Sequence, residues 1–179
     1  MLKPEDTLVV IVDFQEKLIN ATNAQNELEV ATKAVTAAKI LDIPVLVSEQ
    51  YPKGLGSTDN KIVENLPENS KILEKTSFSL LKTDSIAEAI KSFGKKQILL
   101  CGIETHICVL QTAIDLINNG HEVYLLKNAC KSRQESEYQA GTDAMRDEGA
   151  KIVTLEIALF EFLQSSKNPH FKEVQALIK

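Results

Sequence analysis

Short apolar runs alternate along the chain with segments in which apolar residues recur every three or four positions. The runs carry Val, Ile and Leu at consecutive positions, which is typical of strands buried on both faces of a parallel sheet. The segments between them have the period of an amphipathic helix. The predicted strands are Leu8–Val12, Ile43–Val47, Ile72–Glu74, Gln97–Cys101, Val123–Leu126 and Lys151–Thr154, and the predicted helices are Asn26–Leu41, Ser85–Phe93, His106–Asn119, Glu135–Glu148, Glu156–Gln164 and Asn168–Ile178.

This alternation predicts an α/β fold with three α/β/α layers, in which a Rossmann-like, mainly parallel central sheet has about six strands. No repeat or interdomain linker interrupts the pattern, so residues 1–179 are interpreted as a single domain. Pro, Gly, Ser and Asn cluster in Gln50–Asn60, which is therefore predicted to be irregular. Because ligands of such sheets bind at the carboxyl ends of strands, we expect this segment to form one wall of a cleft.

Composition and charge exclude several classes of function. The hydrophobic content of 44% is ordinary for a globular domain of this length. A net charge of −5 and the lack of a basic stripe argue against nucleic acid as a partner. The first residues are too polar for a signal peptide and the apolar runs are too short for a membrane span, so we expect a cytoplasmic protein with no membrane contact.

Of the three cysteines, one lies where a thiol could be reactive. The odd number and the lack of a Cys-x-x-Cys pair suggest neither a disulfide framework nor a thiolate zinc site. Cys108 follows Thr105 by three residues, at a predicted strand-to-helix junction. If Thr105 is the N-cap, Cys108 lies in the first helical turn, where the helix dipole favours the thiolate. The alternative is an inert, buried cysteine, which is the more common case.

A carboxylate and an ammonium group end two other predicted strands. Asp13 closes the first apolar run and Lys75 follows the run at Ile72–Glu74. Because the carboxyl ends of parallel strands meet at one edge of the sheet, both can lie near Cys108. Taken singly, such an Asp is more often a turn residue and such a Lys is usually solvated surface.

Four segments, in this order, resemble the isochorismatase-like cysteine hydrolase family: Val12–Gln15, Ser48–Gly56, Glu74–Ser79 and Gly102–Val109. Later segments are similar to the isochorismatase-domain-containing branch of that family, namely Ala129–Arg133, Met145–Ala150 and His170–Glu173. The resemblance covers nearly the whole chain. It implies the isochorismatase-like hydrolase fold, but this branch brings no settled substrate with it.

The resemblance also implies a catalytic triad. Asp13 would accept the thiol proton, Lys75 would stabilise the thiolate and keep the carboxylate charged, and Cys108 would attack an electrophilic carbon. The resulting adduct would be hydrolysed by water. The expected oxyanion donors are the backbone N–H groups of Glu104 and Cys108, and the resemblance implies a cis bond between Ile103 and Glu104.

Each of the residues around this triad has two possible interpretations. Glu104 stands where many relatives carry a small apolar residue, so it is either a solvent-facing loop carboxylate or a group that recognises an amine or amide. Core packing is the alternative for the two Phe residues among the candidates, and the protein surface is the alternative for the His. The candidate substrate-binding residues are Phe14, Gln15, Gln50, Tyr51, Phe78, Ile103 and His106.

No metal and no other cofactor are expected. Nicotinamidases of this family bind a metal through an Asp and histidines after the second strand, whereas the only histidines here are His106, His121 and His170. The function predicted is therefore that of a metal-independent cysteine hydrolase acting on a small amide, carbamoyl or ester-like molecule.

Two alternatives stay open: a non-catalytic regulatory or scaffold member of the same fold, and a thiol redox protein. The redox class is disfavoured because no resolving cysteine lies beside Cys108 in sequence. Relatives are commonly oligomers, so we expect a homo-oligomer, a dimer or larger. The apolar face of the last predicted helix could contribute to that contact, although packing on its own domain is the favoured interpretation.

Overall fold

The computed structural model describes residues 1–179. Two short 3-10 helices lie at Pro4–Asp6 and Leu80–Lys82, and a single π-helical turn, here called the β4–α6 turn, spans Thr105–Val109. The strands are β1 (Thr7–Val12), β2 (Val45–Gln50), β3 (Lys71–Lys75), β4 (Gln97–Ile103), β5 (Glu122–Lys131) and β6 (Lys151–Val153). The helices are α1 (Glu16–Thr22), α2 (Gln25–Ile40), α3 (Pro52–Leu55), α4 (Asn60–Val63), α5 (Asp84–Phe93), α6 (Leu110–Asn118), α7 (Glu135–Asp147), α8 (Leu155–Leu163) and α9 (Phe171–Ala176).

All six strands form one parallel sheet in the order β3-β2-β1-β4-β5-β6. The chain builds outward from β1 to β3 and then crosses back, so that β4 lies on the other side of β1. The register places Val12 beside Gly102, and the carboxyl ends of β1 and β4 are therefore adjacent. This is the point at which the strand order reverses and where ligand clefts open in such sheets. The predicted α/β architecture with a six-stranded sheet is confirmed.

Helices cover both faces of the sheet. Every residue of β1 and of β4 is buried, as expected for strands that carry apolar side chains at consecutive positions. On the helical layers, α2 packs with α8 and α9, whereas α6 packs with α7. The apolar runs and the apolar helix faces thus join into one continuous core.

The structure differs from the predicted elements around the carboxyl edge of the sheet. Helix α1 was not predicted, because seven residues are too few to show a clear helical period. The predicted irregular segment contains the one-turn helix α3 and ends at Asn60, where the one-turn helix α4 begins. Helix α3 begins at Pro52, which suits a first helical position, and α4 is capped by Asp59, whose carboxylate accepts a hydrogen bond from the Lys61 N–H at 2.9 Å.

The last helix packs on its own domain. Val174 is fully buried, and the Phe171 ring meets the Phe160 ring edge-on with 6.4 Å between centroids. The favoured interpretation of this apolar face is therefore confirmed. No helix of the structure has the length and apolar character needed to cross a membrane.

The close contact of β4 with β1 requires glycine at position 102. An added Cβ would overlap the Val12 carbonyl oxygen and the Val12 Cβ, and the φ of +154° is one that other residues rarely adopt. Gly102→Ala should lower the free energy of unfolding by about 3 kcal/mol, because it combines overpacking with a strained backbone. Urea unfolding measures the loss.

Gly120→Ala is the matched control. Gly120 also has a positive φ, of +86°, but no atom lies within 4 Å of its added Cβ. Gly120→Ala should lower the free energy of unfolding by only about 1 kcal/mol, from backbone strain alone. Equal losses in the two variants would contradict the close contact between β1 and β4.

Candidate active site

Asp13 is held at the end of β1 by its backbone. Its φ of +56° is left-handed, a conformation that Asp tolerates better than most residues. The Asp13 N–H donates to the Ser48 carbonyl at 3.1 Å, which ties the turn after β1 to β2. The carboxylate is thereby directed into the protein, where Asp13 is fully buried.

Lys75 reaches the same carboxylate from the carboxyl end of β3, two strands away from β1 in the sheet. It is the last residue of β3 and pairs with Gln50 of β2. Its Nζ lies 2.7 Å from Asp13 Oδ2, and neither side chain is exposed. The second carboxylate oxygen, Oδ1, accepts a hydrogen bond from Ser48 Oγ at 2.6 Å. Both oxygens of the buried carboxylate therefore have a partner, as a buried charge requires.

Cys108 completes this cluster from the β4–α6 turn. Its Sγ lies 3.5 Å from Lys75 Nζ, and only 7% of the residue is exposed. The structure thus brings together the three residues of the predicted triad, although they are far apart in sequence. The predicted oxyanion donors, the N–H groups of Glu104 and Cys108, belong to the same turn and the residue before it. The bond between Ile103 and Glu104 is cis.

The ionisation of the thiol differs from what the sequence led us to expect. Burial, and after it the charge of Asp13, raise the pKa of Cys108 to about 12, although Lys75 acts in the opposite direction. The expected N-cap is also wrong: Glu104 occupies that position, and the Thr105 hydroxyl is buried without a partner. Removal from water outweighs the favourable helix terminus, so the resting thiol is neutral.

Asp13 shows the same balance of effects. Burial raises the pKa of its carboxyl group, whereas the charge of Lys75 and hydrogen bonds from Lys75 and Ser48 lower it. A proton acceptor and a protonated thiol thus share one ammonium group. That is an arrangement in which the thiol proton can move to a carboxylate as the sulfur attacks.

Gln15 and Gln50 support the cluster from within the protein. Gln15 is fully buried, and its side chain exchanges hydrogen bonds with the Gln50 backbone, at 3.0 Å to the carbonyl and 2.8 Å from the N–H. The Gln50 side chain accepts from Lys75 Nζ and donates to the Thr76 carbonyl at 3.0 Å. Both amides are thus occupied in holding Lys75 and the segment after β2.

The remaining candidates divide into core and surface. Phe14 and Ile103 have no exposed surface and belong to the hydrophobic core, so a ligand cannot touch their side chains in this conformation. Tyr51 and Phe78 are 55% and 53% exposed, and core packing is therefore wrong for Phe78. A cavity of about 350 Å³ is lined by Tyr51, Pro52, Lys53, Glu74, Lys75, Thr76 and Thr83.

This cavity reaches the edge of the cluster without entering it. The Lys75 side chain is not exposed at all, so the cavity touches only the backbone of that residue. Tyr51, with a left-handed φ of +36°, forms part of the wall. Its ring lies over Gly54, where an added Cβ would approach Tyr51 Cε1 to 2.5 Å.

Glu104 and His106 both make contacts with the segment that follows β5. Glu104 is 8% exposed, and its Oε2 accepts hydrogen bonds from the backbone N–H and the Nε of Arg133, each at 3.1 Å. A solvent-facing loop carboxylate is therefore the wrong interpretation. His106 Nδ1 lies 3.0 Å from Ser132 Oγ, and the His106 side chain is only 19% exposed.

Sequence reasoning missed three polar residues of this region: Ser48, Ser132 and Arg133. Each lies within or beside a segment that carries the family resemblance, which was the only available signal. Across the structure, no three or more His, Cys, Asp or Glu side chains are grouped so that they could hold a metal ion.

Comparison with known proteins now identifies the family. The family model described as "Isochorismatase domain" matches residues 7–157. Isochorismatase domain-containing protein 2 of Xenopus laevis is 37% identical over 179 residues, which cover 99% of this chain and 85% of that protein. The secreted isochorismatase effector Isc1 of Phytophthora sojae is 34% identical over 99% of this chain and 87% of its own length. The chain therefore belongs to the isochorismatase family.

Solved structures agree with this assignment. The MAR1 ribonuclease from Caenorhabditis elegans superposes with a TM-score of 0.93 at 35% identity, over 99% of this chain and 91% of that chain. The Escherichia coli protein YcaC, described as an octameric hydrolase of unknown specificity, has a TM-score of 0.89 at 20% identity, over 99% and 94% of the two chains. At that identity YcaC shows a shared fold alone.

The burial and the raised pKa of Cys108 predict how the three cysteines react with an alkylating agent. Burial raises the pKa of all three cysteines, but Cys101 is fully buried and Cys130 is 2% exposed, so iodoacetamide should modify Cys108 first. The rate should rise about tenfold per pH unit between about pH 7 and 10, because the thiolate fraction rises tenfold per unit below the pKa. Mass spectrometry of digested protein gives the site and the rate.

Two variants test the causes of the raised pKa of Cys108. Asp13→Asn removes a negative charge that raises the pKa of Cys108, so alkylation at pH 8 should become faster. Lys75→Met removes the opposing cation, so alkylation should become slower. A wild-type rate that levels off near pH 8 would mean a thiol that is already ionised, contrary to this account.

Proposed function

We propose that this protein is a metal-independent cysteine hydrolase of a small amide, carbamoyl or ester-like molecule. One observation supports this more than any other: a single buried ammonium group, that of Lys75, contacts both the Asp13 carboxylate at 2.7 Å and the Cys108 sulfur at 3.5 Å. A base, a cation and a nucleophile within hydrogen-bonding reach are the parts that covalent hydrolysis requires. Membership of a family that generally consists of hydrolases agrees with the proposal.

In the first step, Cys108 Sγ attacks the carbonyl carbon and its proton moves to Asp13. The thiol is neutral beforehand, so this transfer has to accompany attack, and the nearby carboxylate is the acceptor. The carbonyl oxygen becomes an oxyanion, which the N–H groups of Glu104 and Cys108 stabilise. The leaving amine or alkoxide departs with the proton from Asp13, and a thioester remains on Cys108.

In the second step, water hydrolyses the thioester. Asp13 takes a proton from the attacking water, and the tetrahedral intermediate collapses to release the acid and the thiolate. Asp13 then returns the proton to Cys108. Throughout this cycle Lys75 orients the carboxylate and stabilises whichever partner is negative.

A non-catalytic member of the same fold is the second candidate. It is supported by the burial of the cluster, since only 7% of Cys108 and none of the Asp13 or Lys75 side chains are exposed. The Caenorhabditis elegans relative is described as a ribonuclease, but the net charge of −5 does not favour binding of a phosphate backbone. RNA therefore serves as a comparison substrate.

We also propose a cytoplasmic location, which rests on the sequence and on the three free cysteines. The Phytophthora sojae relative is named a secreted effector, so family membership alone does not determine the compartment. Fluorescence imaging of the tagged chain in its own cells tests the proposal. Signal in the medium or in a secretory compartment would refute it.

The hydrolase proposal is tested with a panel of small amides, carbamoyl compounds and esters. Activity toward any substrate found should be lost completely in Cys108→Ala, because the nucleophile is removed. In Asp13→Asn the activity should fall at least about 10³-fold. Cys130→Ala is the matched control and should retain the wild-type rate. A chelator should leave the rate unchanged.

Three results would count against this proposal. Activity that survives in Cys108→Ala would exclude the thiol mechanism. Inactivation by chelator, with recovery on addition of zinc or iron, would exclude metal independence. Cleavage of an RNA oligonucleotide without turnover of any small molecule would assign a different substrate class.

We further propose a homo-oligomer, because apolar side chains remain uncovered on α8 and at the amino terminus. Met1, Ile157 and Phe160 are 77%, 47% and 42% exposed and border one surface cavity. Burying such a patch would stabilise association. Light scattering should give at least twice the monomer mass at micromolar concentration, and Phe160→Lys should lower that mass; a wild-type monomer would refute the proposal.

A further inference from the structure

The polypeptide between β4 and α6 has backbone hydrogen bonds of its own, from the N–H groups of Ile107 and Val109 to the Glu104 carbonyl, but it has no side-chain cap. Glu104, at the N-cap position, makes no side-chain capping bond to the β4–α6 turn. The Thr105 hydroxyl, which could have served instead, is buried and has no partner. The start of a helix is usually anchored by a hydrogen bond from a free backbone N–H group to a capping side chain. Side-chain contacts that hold the Glu104 end of the turn therefore come from elsewhere in the fold.

Those contacts come from the two residues that follow β5. Arg133 donates to Glu104 Oε2 through both its backbone N–H and its Nε, each at 3.1 Å. Ser132, which is 2% exposed, bonds to His106 of the turn. Hydrogen bonds between charged groups are stronger than neutral ones. The Glu104 side chain that accepts them is only 10% exposed, whereas the Arg133 side chain is 62% exposed.

We propose that Arg133 is a positioning residue for the oxyanion donor, acting through the Glu104 carboxylate. The inference rests on the proposed function, in which the Glu104 N–H binds the developing negative charge. Arg133 fixes the side chain of Glu104, and the side chain in turn fixes the peptide unit that carries this donor. Donors of this kind work only when they are preorganised, so a small rotation is enough to weaken them.

Two reactions of the same thiol separate this role from a general structural one. With p-nitrophenyl acetate, Cys108 Sγ bonds to the carbonyl carbon, the thiol proton moves to Asp13, and p-nitrophenolate leaves with the electrons of the broken C–O bond. This acylation passes through an oxyanion. With iodoacetamide, the thiolate that forms when the Cys108 proton passes to solvent displaces iodide from carbon, and no oxyanion forms. A misplaced donor should therefore slow acylation and spare alkylation.

The experiment measures both rates in wild type, Arg133→Met, Glu104→Ala and the double variant. Each single variant should slow acylation about tenfold or more, but by no more than the complete loss of an oxyanion donor would. Each should change the rate of alkylation by less than about twofold. Arg133→Lys should recover part of the acylation rate, because an ammonium can still donate to Oε2. Arg146→Met is the matched control: Arg146 pairs with Asp143 on the exposed side of α7, and both rates should stay at the wild-type value.

The double variant tests whether Arg133 acts through Glu104. If it does, Arg133→Met should have no further effect in the Glu104→Ala background. Glu104→Ala is the safer variant for folding, since the Arg133 side chain that it leaves is 62% exposed and remains solvated. Additive effects, an unchanged acylation rate, or equal losses in both reactions would each overturn the inference.

A measurement without any substrate keeps the inference separate from the proposed function. Amide hydrogen exchange of residues 104–109 should become about tenfold faster in Arg133→Met and stay unchanged in Arg146→Met, because a freed turn opens more often. Unchanged exchange would overturn the positioning role. A wild-type thiol that is alkylated but never acylated would refute the hydrolase and the catalytic part of this inference, while exchange would still decide whether Arg133 holds the turn.

Discussion

The candidate site depends on one buried ion pair, between Asp13 and Lys75. Two unpaired charges would each cost several kcal/mol in such a place, and their attraction compensates only when the remaining polar atoms are also satisfied. Here Ser48 donates to the second carboxylate oxygen, and Gln50 accepts from the ammonium group. The four side chains lie within or directly after β1, β2 and β3, so the pair constrains how these strands are aligned. A slip of one residue in β3 would turn Lys75 to the opposite face of the sheet.

The same pair determines the state of the thiol beside it. Lys75 stabilises a thiolate, but burial and the charge of Asp13 act more strongly in the opposite direction, and the net effect is a raised pKa for Cys108. A thiol that stays protonated at rest is less open to oxidation than an exposed thiolate. In the proposed hydrolysis the thiol proton moves to Asp13 during attack, so for that reaction the base and the nucleophile have to be considered as one unit. This also explains why a favourable position at a helix start does not by itself make a cysteine acidic.

Family membership and substrate choice are separate questions for this chain. Proteins that share this fold differ in their described activities, among them a ribonuclease and a hydrolase of unknown specificity. A shared fold supports many reactions, and the reacting groups alone do not select a substrate. Tyr51 lines the cavity at the edge of the cluster and Phe78 is exposed, whereas the side chains of Gln15 and Gln50 are already bonded within the protein.

Local patterns in the sequence were sufficient for the architecture and for the identity of the three central residues. Consecutive apolar positions identify each strand, and the family resemblance points to Asp13, Lys75 and Cys108. Tertiary structure alone decided their chemistry and their surroundings: the pKa of Cys108, the core position of Phe14, and the pairing of Glu104 with Arg133, 29 residues away. The physical reason is that strand formation follows from neighbouring residues, whereas removal from water and charge pairing depend on which distant segments the fold brings together.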